Sequence, residues 1–114
     1  MLTMEKLREF SPEADEGLAR CMGNESFYFK LIGMAVDEPS FGSLKEAVEA
    51  GDYGKAFEEA HKLKGVLGNL SLTPLLDPAS KLTEMLRPAQ PCDCGSLLDE
   101  LLEKRGELSE LINS

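Results

Sequence analysis

The sequence predicts an all-α domain: an up-and-down antiparallel four-helix bundle with one or two short extra helices at the N-terminus. Three observations carry this. Apolar residues recur at spacings of three and four through segment after segment, the period of a helix that buries one face. The segments are separated by helix-start and helix-stop residues: Asn, Asp, Ser and Pro at beginnings, Gly at ends. The connections are short, which makes consecutive helices antiparallel neighbours. A chain of 114 residues has room for a single domain, 1–114, around one core.

Residues 1–10 read as a short helix with Met4, Leu7 and Phe10 on one side, laid across the bundle. Ser11-Pro12-Glu13 reads as an N-cap, a first-turn proline and an acidic residue suited to the helix dipole. The helix it opens uses Leu18 and Met22 and stops at Gly23. Asn24 caps the next helix, where Phe27, Tyr28, Leu31, Ile32, Met34 and Ala35 form the most apolar segment, expected to be central. Asp37-Glu38-Pro39 ends it, because a proline pushes the preceding residue out of helical angles. Ser40 starts a short helix through Phe41, Leu44, Ala47 and Val48, closed by Gly51.

Asp52 is then a good N-cap, and Tyr53, Ala56, Ala60, Leu63, Leu67 and Leu70 fall on one face of a long helix. The chain turns at Ser71-Leu72-Thr73-Pro74, with Thr73 as cap and Pro74 as first helical position. Pro78 is expected to kink that helix or delay its start to Asp77-Pro78, since it removes a backbone bond and crowds the preceding turn. Arg87 to Gly95 is a loop with two prolines and two cysteines. Ser96 caps the last helix, which uses Leu97, Leu98, Leu101, Leu102, Leu108, Leu111 and Ile112 and is weakened in its middle by Gly106.

The long helix carries the only histidine, His61. On the helical wheel its apolar stripe centres ~140° away from His61, so the imidazole faces outward. Gly54, Gly65 and Gly68 all lie within about 40° of the histidine direction. Each glycine in a helix interior costs roughly 1 kcal/mol relative to alanine. A helix that keeps three of them along one line leaves that line bare, and a bare line lets a foreign surface approach the ring. A tight crossing with a neighbouring helix is the competing explanation, disfavoured because the apolar stripe already defines a different packing face. Lys64, one turn on, brings an ammonium toward anything attached to the imidazole. Phe57 and Glu58 lie one turn before; Phe57 reads as the edge of the core or as part of a docking patch.

Ala60-His61-Lys62-Leu63-Lys64-Gly65, followed by Gly68 and Leu70, closely resembles the signature of histidine-containing phosphotransfer (HPt) domains. That family carries an A-H-x-L-K-G core and usually a glycine where this chain has Ser71. The identities are confined to this stretch, while the helix pattern spans the chain. The resemblance implies the same bundle and a phosphocarrier in a two-component phosphorelay. His61 would accept a phosphoryl group from a receiver-domain aspartate and donate it to another. The partners would be the receiver domain of a response regulator or a hybrid histidine kinase. The receiver would supply the aspartate, the magnesium ion and most of the catalytic groups, so this chain is expected to be no independent enzyme and to hold no cofactor of its own.

The residues suit that chemistry. Only an unprotonated ring nitrogen can attack phosphorus, and a free imidazole, with a pKa near ~6.5, is mostly neutral in a cell. Lys64 opposes a second positive charge on the ring and can meet the transferred oxygens; Glu58 favours that charge and can hold one ring N–H. Gly54, Phe57, Glu58, Lys64, Gly65 and Gly68 form the expected partner-binding surface. No P-loop or glycine-rich nucleotide loop is present, which argues against phosphorylation from ATP. The alternative function is a helical interaction module that binds receiver or kinase domains without being phosphorylated.

The formal net charge of −9 argues against nucleic acid and anionic membranes as partners. No apolar run approaches the ~20 residues of a membrane span, and the N-terminus lacks the basic start and apolar middle of a signal peptide. A cytoplasmic monomer is expected. Three cysteines make no disulfide framework. A zinc site at Cys92 and Cys94 needs two further ligands, for which Cys21 and His61 are the candidates; His61 points away from the core, so the two cysteines read as a reduced pair in a loop.

Overall fold

In the computed structural model, which describes residues 1–114, the chain forms seven helices: α1 (Met4–Phe10), α2 (Ala14–Arg20), α3 (Glu25–Val36), α4 (Ser40–Glu49), α5 (Tyr53–Asn69), α6 (Thr73–Leu86) and α7 (Gly95–Asn113). α4 to α7 run up and down as the four-helix bundle, with α5 packed chiefly against α6 and α4, and α6 against α7. The short α1 and α2 lie beside it, and α1 touches both α2 and α7. Each helix contributes the stripe its period predicts. Met4 and Leu7 of α1, Phe41 and Leu44 of α4, Ala56, Ala60, Leu63 and Leu67 of α5, and Leu98, Leu101 and Leu108 of α7 are all buried.

Three caps act as their residue types dictate. Thr3 Oγ1 accepts from the Lys6 N–H, Asn24 Oδ1 from Phe27 and Asp52 Oδ1 from Lys55, at 3.1 to 3.2 Å. Elsewhere the structure corrects the sequence. α3, expected to be central, stands on the flank of the bundle; it buries Tyr28, Ile32, Ala35 and Val36 but leaves Phe27 48% and Met34 60% exposed. Met22 is 95% exposed, because α2 ends at Arg20 and the chain turns through Met22 with φ +58°. α2 begins at Ala14 behind Glu13, and α7 begins at Gly95 behind Cys94, so neither Ser11 nor Ser96 is an N-cap.

α6 neither restarts nor breaks at Pro78. It begins at Thr73, one residue before Pro74, and continues through Pro78 to Leu86. Pro78 removes the one N–H that would bond the Pro74 carbonyl, but its ring is buried together with Leu75, Ala79, Leu82 and Leu86. Burial of that stripe, worth roughly 1.5–3 kcal/mol per large side chain, outweighs one lost backbone bond.

Ser11 has a different task. It is buried between α1 and α2, where its hydroxyl donates to the Ser71 carbonyl (2.7 Å) and accepts from the Thr73 N–H (3.3 Å), so it caps α6 from a distance. It belongs to a clasp around the C-terminal end of α5. Tyr28 Oη donates to the Leu70 carbonyl at 2.6 Å. Arg20 Nη1 donates to the carbonyls of Gly68 (3.2 Å) and Asn69 (3.1 Å) and to Ser71 Oγ (2.6 Å). Ser71 itself takes φ +54°, the left-handed end of the helix, with its N–H on Gly68 O and the Leu72 N–H on Leu67 O, both 3.1 Å. Glycine favours that conformation, and Ser71 holds it with three partners of its own. Gly17 lets α2 come this close: a Cβ there would collide with the Leu70 carbonyl and the Tyr28 hydroxyl.

Two outcomes follow from the clasp. Gly17→Ala should destabilise the fold by about 1–3 kcal/mol through overpacking, despite the better helix propensity of alanine, as read by urea denaturation. Burial pushes the Tyr28 phenol up to about 12 from its ordinary value near 10. A raised folded pKa means that the stability it contributes is complete below pH ~10 and lost as pH climbs toward 12. Tyr28→Phe should cost about 1–2 kcal/mol at pH 8 by orphaning the Leu70 carbonyl. The gap between variant and wild type should then narrow above pH ~10; a gap constant with pH would show that the phenol is not held neutral by burial.

Candidate functional site

The 17-residue α5 positions everything that surrounds His61. Its buried stripe of Ala56, Ala60, Leu63 and Leu67 fixes the rotation of the helix, and with it the outward direction of His61, which is exposed. The chain's four ion pairs, Arg8–Asp15, Lys62–Glu59, Arg87–Glu84 and Lys104–Glu107, leave out His61, Glu58 and Lys64. Glu58 is exposed and makes no ion pair with the imidazole, so the ring orientation is not set by it. Phe57 lies against the imidazole: the two rings meet with centroids 5.8 Å apart at a tilt of 34°. Phe57 is half-buried against the core, so it is core edge and imidazole support at once.

The glycine line is bare toward the outside and not wedged against a neighbour. A Cβ at Gly65 would meet nothing within 4 Å, one at Gly54 only Asp52 Oδ1 at 3.9 Å, and one at Gly68 only Leu76 Cδ1 at 3.8 Å. These are open space or ordinary contacts, so no helix crossing inside the chain requires the glycines. Gly17, where two helices do meet, shows what such a requirement looks like.

Charge gathers on the α6 side of the ring. Lys64, half-buried, reaches toward α6, where its charge helps to lower the Glu84 carboxyl; the larger cause is Arg87, which bonds both Glu84 oxygens at 2.8 and 3.1 Å. The Arg87 guanidinium also lies 5.3 Å from the centre of the Phe57 ring, on which the imidazole rests. Arg87 therefore stands one ring away from His61. In the sequence Arg87 reads as the first residue of a loop; the one signal for it is a basic residue at the C-terminal cap of a helix neighbouring α5. The α3 side is apolar instead. A cleft of about 310 Å³ lies there, lined by Leu31, Met34, Ala35, Val66 and Leu70 with Glu38 and Asn69 at its edge.

The site thus has an accessible imidazole, a bare strip along the helix and cations on the α6 side, while the apolar cleft toward α3 is lined by none of His61, Lys64, Gly65 or Gly68. Such an arrangement can present a nucleophilic nitrogen to another macromolecule and meet an anion there. No three His, Cys, Asp or Glu side chains are placed to hold a metal ion, and no helix is long and apolar enough to cross a membrane.

Gly65→Ala should raise stability by about 0.5–1 kcal/mol, near 4 °C in Tm, because the methyl group enters open space on a helix. A thermal melt unchanged or lowered would mean that the strip is already occupied within the chain.

Comparison with protein families gave one match: the family model described as the Hpt domain aligns with residues 38–113. That span holds α4 to α7, the four helices of the bundle, and leaves α1 to α3 outside. Comparisons with curated proteins and with solved structures returned no match.

Proposed function

The chain belongs to the Hpt domain family, whose members are phosphocarriers of phosphorelays, and from that premise we propose that His61 is the carrier residue, exchanging a phosphoryl group with the aspartate of a receiver domain. The observation that carries this reading is the outward imidazole beside Gly65, where the surface is open to a partner.

The unprotonated nitrogen of His61 attacks the phosphorus of an aspartyl phosphate. A P–N bond forms, the P–O bond to the carboxyl breaks, and the aspartate leaves as a carboxylate. The reverse transfer passes the group on. Such a reaction is mostly positioning and charge stabilisation. The receiver brings the aspartate, a magnesium ion and most of the catalytic groups, so this chain needs no cofactor and does not catalyse alone. Lys64 meets the transferred oxygens, and Arg87 stands behind it, sharing its charge with Glu84. Gly54, Gly65 and Gly68 admit the partner's backbone, and Phe57 with Glu58 borders the contact. The protein works as a cytoplasmic monomer in this reading.

Incubation with a phosphorylated receiver domain should label wild-type protein with acid-labile, base-stable phosphate and leave His61→Gln unlabelled; equal labelling of the two would sink the assignment. Receiver binding that survives in both, with no label in either, would instead identify an interaction module. Lys64→Ala should slow transfer about tenfold, the loss of one charge-assisted contact of roughly 1.4 kcal/mol, and Lys64→Arg should recover most of it. Arg87→Ala should slow it less, because Glu84 already engages that guanidinium.

A further inference from the structure

The segment between α6 and α7 carries two thiols that the phosphoryl chemistry leaves unused. After Arg87 the chain turns tightly at Ala89, with φ +55° and its N–H on Leu86 O at 2.9 Å, and then runs without helix until Gly95. Cys92 is half-buried and packs against the core, between exposed Pro91 and Asp93. Cys94, directly before α7, is 2% exposed. Both are free thiols, two residues apart in one helix-free segment. Cys21 lies in the turn between α2 and α3, beside Tyr28, and takes no part.

We propose that Cys92 and Cys94 are a reversible redox pair, closed into an intramolecular disulfide by small-molecule disulfides of the glutathione class. This goes beyond the phosphocarrier reading and stands without it.

The asymmetry of the pair sets the order of events. Cys92 is the thiol an outside disulfide can reach. Its thiolate attacks one sulfur of oxidised glutathione, one glutathione thiolate leaves, and a mixed disulfide remains on Cys92. Cys94 then loses its proton to water and attacks the Cys92 sulfur, releasing the second glutathione. Two protein thiols are oxidised and one glutathione disulfide is reduced to two thiols, so electrons and atoms balance. Burial, followed by the neighbouring Cys92 thiol, pushes the Cys94 thiol up, which keeps it protonated and inert toward reagents in solution. Covered as it is, its open route is the neighbouring sulfur. Two residues apart, their Cα atoms lie at most ~7 Å from each other, near the span a disulfide tolerates, and bond formation brings the sulfurs to about 2 Å. Cys94 is the N-cap of α7 and its carbonyl accepts from the Leu98 N–H at 3.0 Å, so the adjustment falls to side-chain rotation and to the helix-free residues before it.

The full chain, equilibrated in graded mixtures of reduced and oxidised glutathione and quenched with N-ethylmaleimide, decides the question by mass spectrometry. Trypsin releases Leu82–Lys104, which contains Cys92 and Cys94 without Cys21, since Pro88 blocks cleavage after Arg87. This peptide should become two hydrogens lighter and carry no maleimide. It should pass from about one-tenth to about nine-tenths oxidised over roughly a hundredfold range of the glutathione ratio, and revert with dithiothreitol. Cys94→Ser should retain a glutathione adduct on Cys92, whereas Cys92→Ser should take none while folded. A wild-type peptide alkylated at both cysteines in every mixture would overturn the proposal. So would a lasting adduct on wild-type Cys92, or a disulfide that forms only after urea has unfolded the chain. If a serine variant fails to fold, the wild-type titration alone gives the answer.

Discussion

The last turn of α5 ends in carbonyls that have no helical partner, and the whole placement of the site depends on how they are satisfied. Gly68, Asn69, Leu70 and Ser71 present four carbonyl oxygens within one turn. Arg20, Tyr28 and Ser11, from three different parts of the N-terminal segment, bond all four. A helix end satisfied by water could fray. One held by a guanidinium, a buried phenol and a buried hydroxyl keeps its last turns intact, and those turns include Gly65 and Gly68 beside the imidazole. The match to the Hpt family covers only the bundle. α1 to α3, outside that match, supply the groups that finish α5 in this chain.

The two faces of α5 are stabilised in opposite senses. On one, Ala60, Leu63 and Leu67 are sealed in the core. On the other, glycine at positions 65 and 68 gives up helix propensity with no internal packing to offset it. A helix can carry that loss when tertiary contacts supply its stability, which the buried stripe and the clasp do. The same division separates two kinds of glycine. Gly17 is required by contacts within the chain, and the glycines along the histidine line by none.

What was legible in the sequence was whatever the helical period or a local cap decides. The stripe of α5 fixed where His61 points, and Asn24 and Asp52 cap as their side chains dictate. What was not legible depends on partners distant in the chain. Ser11 looks like an N-cap from its neighbours Pro12 and Glu13, but its hydroxyl finds Ser71 across the fold. Phe27 and Met34 look like core because they are apolar, but α3 has only one side to bury. Pro78 looks like a break because its cost is local, whereas the burial that offsets it comes from α7 and the rest of the bundle. Arg87 shows in the sequence only as a basic residue near a helix end; its link to His61 runs through the Phe57 ring and exists only once α6 packs on α5.

Under the proposed function, the charge arrangement around His61 has to serve a group that both arrives and leaves. On a chain of net charge −9, an anionic phosphoryl group meets long-range repulsion, so local cations must compensate for it. Lys64 supplies one without an ion pair to give up. Arg87 supplies another, but it is already bound through two hydrogen bonds to Glu84, so a phosphoryl group draws on it only in competition with that carboxylate. Two unshared cations would hold the group more tightly and slow its release; none would leave the transfer unassisted. An intermediate carrier needs nearly balanced affinities in both directions. In the proposed function, one lysine without an ion pair and one arginine shared between Glu84 and the Phe57 face are the cations on which that balance would rest.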